Sequence, residues 1–221
     1  MLKLIIGNRA YSSWSMRGWL ALKQSGEEFE ELVVPMFDDE WEKRREGDEF
    51  APSLGKVPIL WDGDCVVWDS LAIIEFLADR VGRELFWPED AGARGMARSM
   101  AAEMHSSFSA LRRELSMNVR KTYATREFTG EVREDIDRIL QLWAQARARH
   151  GGTGDFLFGD WSAADIMFAP VVTRFLTYGV PVPPFAALYM KAVLSHPDVN
   201  EWIDKAQDEP WVIEKYEGQT A

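Results

Sequence analysis

Two short polar segments stand where helices are predicted to begin, and their residue types are suited to chemistry. Ser12 and Ser13 precede one run of apolar residues at helical spacing, and Asp69 and Ser70 precede another. Small polar side chains at such positions cap the free backbone N–H groups of a helix. The same N–H groups, at the positive end of the helix dipole, also form a site for an anion. Each pair therefore has two interpretations, a plain helix cap or part of a binding site.

The second pair ends a compact unit that covers residues 55–80. Residues 57–61 form a β-prone run that Pro58 opens, and residues 62–64, DGD, give a hairpin turn signal before a return strand at 65–68. A helix then follows Asp69 and Ser70. The residues by themselves favour an ordinary trans proline at the start of a strand.

The first pair follows a strand predicted at residues 2–6 and begins a helix that Gly26 ends. A second strand at residues 29–34 completes a βαβ unit, which implies parallel pairing. Residues 37–50 are charged and weakly amphipathic. Residues 1–82 therefore read as β-α-β-α-β-β-α, a four-stranded mixed sheet with three helices.

A linker is predicted at about residues 82–92, and the pattern is helical from residue 92 to residue 221. Helices are predicted at residues 94–117, 132–150, 162–178, 185–194 and 199–206. Ser162 and Asp165 have the spacing of a capping box, for which we expect a purely structural role.

Composition excludes several classes of function. The net charge of −11 offers no basic surface for nucleic acid or an anionic membrane, and no apolar run approaches the length of a membrane span. The single cysteine, Cys65, and three scattered histidines form no metal-ligand pattern. The first seven residues are too short for a signal peptide and are predicted to be a strand, so we expect a cytoplasmic protein without a metal.

Three short motifs, in this order and context, resemble the glutathione S-transferase superfamily. Residues 11–17, YSSWSMR, resemble the signature of serine-type, zeta-like members. Residues 69–73, DSLAI, resemble a glutathione-binding motif, and residues 159–165, GDWSAAD, resemble the capping motif of the second domain. The resemblance implies a thioredoxin-like first domain, an all-α second domain and a homodimer. The zeta signature has cysteine where this chain has Trp14, and glutamine where it has Asp69.

The resemblance implies that several residues of the first domain bind glutathione. Ser12 becomes the partner of the glutathione thiolate, with Ser13 as the second choice and Arg17 as a supporting residue. A cis Val57–Pro58 bond would present the Val57 backbone to the cysteinyl part of glutathione. The other predicted contacts are with charged groups of the ligand, through Asp69, Ser70 and Lys56.

The predicted pocket for a second, electrophilic substrate borders the first helix after the linker. Its candidate residues are Trp14, Met104, His105 and Phe108. Methionine and phenylalanine at this spacing are more often part of a helix core, and His105 could equally lie between helices.

The sequence thus predicts a glutathione-dependent transferase that activates the thiol for attack on a small electrophile. One alternative is a zeta-like isomerase of the maleylacetoacetate type, in which glutathione adds to a double bond and leaves again. Another is a non-enzymatic interaction module with the same fold. A thiol–disulfide oxidoreductase is disfavoured because residues 12–15 contain no cysteine.

Overall fold

A mixed four-stranded sheet forms the first half of the computed structural model, which describes residues 1–125 and 127–217. Its strands are β1 (Leu2–Ile6), β2 (Phe29–Val33), β3 (Ile59–Asp62) and β4 (Cys65–Trp68). The strand order is β2-β1-β3-β4, with β1 parallel to β2 and antiparallel to β3. The β3–β4 hairpin turns at Gly63, whose positive φ of 59° suits glycine.

Three helices accompany this sheet: α1 (Ser13–Ser25), α2 (Asp39–Arg44) and α3 (Ser70–Val81). The predicted order β-α-β-α-β-β-α is therefore confirmed. Gly26 ends α1 in the left-handed conformation, with a φ of 70°.

The second half is helical. Its α-helices are α4 (Ala91–Ser106), α5 (Ser109–Glu114), α6 (Gly130–His150), α7 (Ala163–Thr177), α8 (Pro184–Leu194) and α9 (Pro197–Gln207). A short 3₁₀ turn, Glu214–Tyr216, lies in the C-terminal segment. Among the described residues, no helix is both long enough and apolar enough to cross a membrane.

The prediction of one continuous helix over residues 94–117 was wrong. Phe108 takes a left-handed conformation, with a φ of 64°, and its buried side chain packs into the core. The helix ends at Ser106, because the extended backbone of Ser107 and the left-handed backbone of Phe108 cannot continue its hydrogen-bond ladder. The guanidinium of Arg112 donates to the carbonyl of Ser107 at 3.0 Å and stabilises the break.

One large apolar cluster joins the two halves. It contains Leu4 and Ile6 from β1, Trp19 from α1, and most of the buried face of α7. A smaller cluster on the other face of the sheet contains Ile5, which packs with Trp41 of α2. Because residues of β1 alternate between the two clusters, both faces of the sheet are covered.

The segment predicted as a linker is also part of this core. It contains a 3₁₀ turn, Arg83–Leu85, and the side chains of Phe86 and Trp87 are buried. The Phe86 carbonyl accepts a hydrogen bond from the Ala163 N–H at 2.8 Å, at the start of α7. This contact fixes the beginning of α7 against the sheet-containing half.

The capping box of α7 is present and completely buried at Asp165. Its carboxylate accepts from the Ser162 N–H at 2.9 Å, the Ser162 hydroxyl at 2.8 Å and the Leu157 N–H at 3.1 Å. Burial raises the pKa of Asp165 to about 6, while the hydrogen bonds favour its charged form. Asp165 thus ties the loop before α7 to the helix.

We expect Asp165→Ala to lower the free energy of unfolding by about 2–4 kcal/mol, because two buried backbone N–H groups lose their acceptor. Urea denaturation measures the change. The matched control is Asp160→Ala, an exposed aspartate nearby, which we expect to alter stability by less than about 0.5 kcal/mol. Lost activity at unchanged stability would contradict the structural role.

Candidate active site

A cavity of about 760 Å³ opens between the starts of α1 and α3. Most of the residues that the sequence predicted for glutathione line it. These are Ser12, Lys56, Val57, Pro58, Asp69 and Ser70. His105 of α4 completes one wall, so both halves of the protein contribute to the cavity.

Ser12 is the N-cap of α1, and its hydroxyl lies at the boundary of this cavity. The Ser12 Oγ accepts from the Ser15 N–H at 3.3 Å and donates to the Ser15 Oγ at 2.8 Å. The Ser15 Oγ also accepts from the Gly7 N–H at 3.0 Å. Rotation of the Ser12 hydroxyl would let it donate to a ligand while the Ser15 hydroxyl donates back to Ser12.

Ser13 faces a different environment. It lines a second, smaller cavity of about 250 Å³, and its hydroxyl accepts a hydrogen bond from Arg174 of α7 at 3.1 Å. Ser12 lines both cavities. Of the two serines, Ser12 is therefore the one that lines both cavities.

Asp69 and Ser70 form the start of α3. One carboxylate oxygen of Asp69 accepts from the Leu71 N–H at 2.9 Å, and the other lies 2.6 Å from Nε2 of His105. The Ser70 side chain is fully buried, and its hydroxyl has no hydrogen-bond partner within the described structure. An unpartnered buried hydroxyl beside a helix N-terminus is a suitable donor for a bound anion.

The Val57–Pro58 peptide bond is cis, as the resemblance implied. Gly18 of α1 approaches this proline so closely that a β-carbon at Gly18 would lie 2.9 Å from the ring of Pro58. The close packing places the loop of residues 52–58 directly beside the first turns of α1. Lys56 is exposed at the edge of the cavity.

Trp14 lines both the larger and the smaller cavity. The guanidinium of Arg17 lies 4.9 Å from the centre of the indole, and that of Arg112 lies 4.7 Å from it. The ring of His105 meets the same indole edge-on at 5.3 Å. Cation–π contacts of this kind fix the orientation of the indole.

Arg17 itself is buried away from both cavities. Its Nε donates to the carbonyl of Met167 in α7 at 2.9 Å, which links the first domain to the helical half. Burial, followed by repulsion from Arg112 and Arg174, lowers the pKa of Arg17 well below its usual value.

Two of the residues predicted for the second-substrate pocket lie elsewhere. Met104 and Phe108 are buried in the main core, and neither lines either cavity. His105 and Trp14 do line the larger cavity. Met104 lies on the buried face of α4, and the break before α5 turns the side chain of Phe108 inward.

Beyond Ser12, Ser13 and Trp14, the smaller cavity is built by residues that the sequence analysis did not select as site residues. Arg112 and Arg174 enter from α5 and α7, and Tyr216 closes one side from the C-terminal segment. The Tyr11 hydroxyl bonds Glu217 of that segment and accepts from Arg120 at 2.5 Å. Apart from Tyr11, which begins the motif at residues 11–17, no motif marks these residues, because they come together only through the packing of distant segments.

Burial, followed by the hydrogen bond to Glu217, raises the pKa of Tyr11. Its hydroxyl is thus neutral at physiological pH and already engaged on both sides. Tyr11 is therefore a less suitable thiol partner than Ser12. In residues 1–125 and 127–217 there is also no group of three or more His, Cys, Asp or Glu side chains that could hold a metal ion.

Two family models match the chain over most of its length. One, described as the N-terminal domain of glutathione S-transferase, matches residues 11–80, and the other, described as its C-terminal domain, matches residues 97–205. The first segment includes both helix starts at the larger cavity. The chain belongs to the glutathione S-transferase superfamily.

Individual relatives are distant. Glutathione S-transferase 1 of Dianthus caryophyllus is 26% identical over 197 residues, which cover 84% of each chain. A glutathione transferase homologue from Burkholderia, crystallised with bound glutathione, is 22% identical, with a TM-score of 0.69 over 94% of this chain and 98% of that one. A bacterial maleyl pyruvate isomerase of the zeta class is also 22% identical, with a TM-score of 0.69 over 94% and 99% of the two chains. At these identities the structural likenesses establish the fold.

We expect Ser15→Ala to destabilise the start of α1 by about 1–3 kcal/mol, because the buried N–H of Gly7 then loses its acceptor. Thermal or urea unfolding measures this. Ser99→Ala is the matched control, since the Ser99 hydroxyl lies on the exposed face of α4 and bonds only to the preceding turn. Equal stability of the two variants would contradict a structural role for Ser15.

Proposed function

We propose that this protein is a glutathione-dependent transferase that activates the glutathione thiol for attack on a small electrophile. The observation that carries the proposal is the convergence of Ser12, the cis Val57–Pro58 bond and the Asp69–Ser70 helix start on one cavity. These are the three features that recognise different parts of a thiol-containing, anionic tripeptide. Superfamily membership supports the same reading.

In the proposed complex, the α-carboxylate of the γ-glutamyl group binds the Ser70 hydroxyl and the N-terminus of α3. Asp69 pairs with the γ-glutamyl ammonium, and the Val57 backbone pairs with the cysteinyl residue as a strand would. Lys56 attracts the glycyl carboxylate. This orientation directs the sulfur toward Ser12.

Ser12 is the proposed partner of the thiolate. A free thiol has a pKa of about 8.5, so that only a small part is ionised at neutral pH. A hydroxyl that donates to the sulfur, together with the positive end of α1, favours the thiolate. The shared position of Ser12 between the two cavities would expose the sulfur to an electrophile in the smaller one.

A zeta-like isomerase is the second candidate. The serine motif at residues 12–15 and the likeness to a zeta-class maleyl pyruvate isomerase favour it. Trp14 argues for the general transferase, because a bulky indole replaces a small side chain beside the sulfur. A homodimer and a cytoplasmic location also stay predictions, and light scattering on the purified protein checks the first.

We expect Ser12→Ala to lower kcat with glutathione and an uncharged aryl halide by roughly 10- to 100-fold, the value of one charge-assisted hydrogen bond. Ser13→Ala should have the smaller effect, because its hydroxyl faces Arg174. Steady-state kinetics at saturating glutathione separate the two serines. If neither substitution changed turnover, the assignment of the thiolate partner would fail.

We expect Ser70→Ala to raise the KM for glutathione about tenfold with little change in kcat, because it removes a ground-state contact. Asp69→Asn should weaken binding by a similar factor by removing the charge that attracts the ammonium. Steady-state kinetics measure the KM and kcat of Ser70→Ala, and isothermal titration calorimetry measures the affinity of both variants for glutathione. No binding of millimolar glutathione by the wild type would favour the non-enzymatic interaction module instead.

A further inference from the structure

Three arginines come together at the junction of the two halves: Arg17 of α1, Arg112 of α5 and Arg174 of α7. We call them the arginine cluster. Arg17 and Arg174 are almost fully buried, and Arg112 is partly buried. The guanidinium groups of Arg17 and Arg112 both lie close to the indole ring of Trp14.

Within the described residues, none of the three guanidinium groups forms an ion pair with a carboxylate. Arg174 donates to the Leu115 carbonyl at 2.5 Å and to the Ser13 hydroxyl, and Arg112 donates to the carbonyls of Met104 and Ser107. The buried Nη1 of Arg17 has no hydrogen-bond partner among residues 1–125 and 127–217. Dipoles of neutral groups compensate a buried charge only in part.

Repulsion between guanidinium groups adds to burial in lowering the pKa of two members of the cluster. Burial, followed by the neighbouring guanidinium charges, lowers the pKa of Arg17, and the pKa of Arg174 falls to about 10. Arginine is not deprotonated in proteins near neutral pH, so all three groups are charged. A region with three positive charges therefore exists inside a protein whose net charge is −11.

Two members of the cluster, Arg112 and Arg174, adjoin the position proposed for the thiol, and Arg17 lies behind them in the core. Arg174 contacts the hydroxyl of Ser13, next to Ser12 in sequence, and both Arg112 and Arg174 line the cavity that Ser12 shares. A thiolate beside Ser12 would therefore place a negative charge in the cavity that these two guanidinium groups line. We propose that the arginine cluster stabilises the thiolate of bound glutathione electrostatically, in addition to the hydrogen bond from Ser12.

This inference rests on the proposed function. It adds the arginine cluster to Ser12 as a second group that lowers the pKa of the bound thiol. The step is a simple ionisation: the S–H bond breaks, the electron pair stays on sulfur, and the proton passes to solvent. A positive charge at short range lowers the pKa of an acid by about 1–3 units, and the effect is smaller at longer range. We therefore expect about one unit from Arg112 alone.

Other charged and titratable groups also face this region, from each of the packed elements. They are Tyr11 before α1 with its partners Arg120 and Glu217, Asp69 of α3, His105 of α4, Asp135 of α6, Tyr178 after α7, Tyr216 of the C-terminal segment, and Arg45 and Lys56 at the larger cavity. The carboxylate of Asp135 already accepts a hydrogen bond from the Leu111 N–H at 2.9 Å, and the carboxylate of Asp69 is hydrogen-bonded to His105. The balance of charge around the smaller cavity therefore remains positive.

Arg112 is the best residue for a test because it is only partly buried. Arg112→Gln removes the charge, and Arg112→Lys keeps it. Arg138→Gln is a surface control, since that arginine pairs with Glu103 away from both cavities. The ultraviolet absorbance of the thiolate is titrated against pH for glutathione bound to each folded protein. If Arg112→Gln did not fold, Arg112→Leu would provide the uncharged variant.

We expect Arg112→Gln to raise the pKa of the bound thiol by about one unit, with Arg112→Lys and Arg138→Gln near the wild type. Turnover of an uncharged aryl halide should fall up to roughly tenfold at neutral pH and recover at alkaline pH. An unchanged thiol pKa would overturn the proposal. If Arg112→Gln lost turnover only with an aryl halide that carries a carboxylate, the cluster would bind the substrate's carboxylate and the proposal would be wrong.

Two different results would separate failure of the proposed function from failure of the role proposed for the arginine cluster. A wild type that does not bind glutathione in calorimetry overturns the proposed function together with the role of the cluster. A wild type that binds glutathione and lowers its thiol pKa, with no response to Arg112→Gln, overturns the cluster alone.

Discussion

The burial of α1 between the sheet and the helical half is the constraint on which the site depends. Most residues of α1 are buried, and the helix packs against both α3 and α7. Its polar groups must therefore find partners on both sides: Arg17 donates to Met167 of α7, and Ser13 accepts from Arg174. Because the N-terminus of α1 is held in this way, Ser12 has a fixed position at the junction of two cavities.

The same burial explains why the site is electropositive in an acidic protein. Surface carboxylates account for the net charge, and solvent and salt screen them. The guanidinium groups of the site lie where screening is weak and where backbone carbonyls are their main partners. Local potential in the site is therefore set by a few buried cations, and the composition of the whole chain says little about it.

Local patterns predicted the first domain well. Alternation along β1, the hairpin at Gly63 and the cap at Asp69 act over a few residues, so they are visible in the sequence. The cis bond before Pro58 followed only from the resemblance, since the residues themselves favour trans. The prediction failed at Phe108, where side-chain burial overrides a helical pattern that continues on both sides.

The residues of the smaller cavity show why substrate choice is harder to predict than glutathione recognition. The proposed glutathione contacts lie within fifteen residues of one another, between Lys56 and Ser70, apart from Ser12. The walls of the smaller cavity come from α1, α5, α7 and the C-terminal segment, which are separated by many tens of residues. Each wall residue also has a packing role: Arg112 closes the break after α4, and Tyr216 contacts Tyr11. A substitution there changes pocket shape and helix packing together, so selectivity in this fold is coupled to the contacts that hold its second half together.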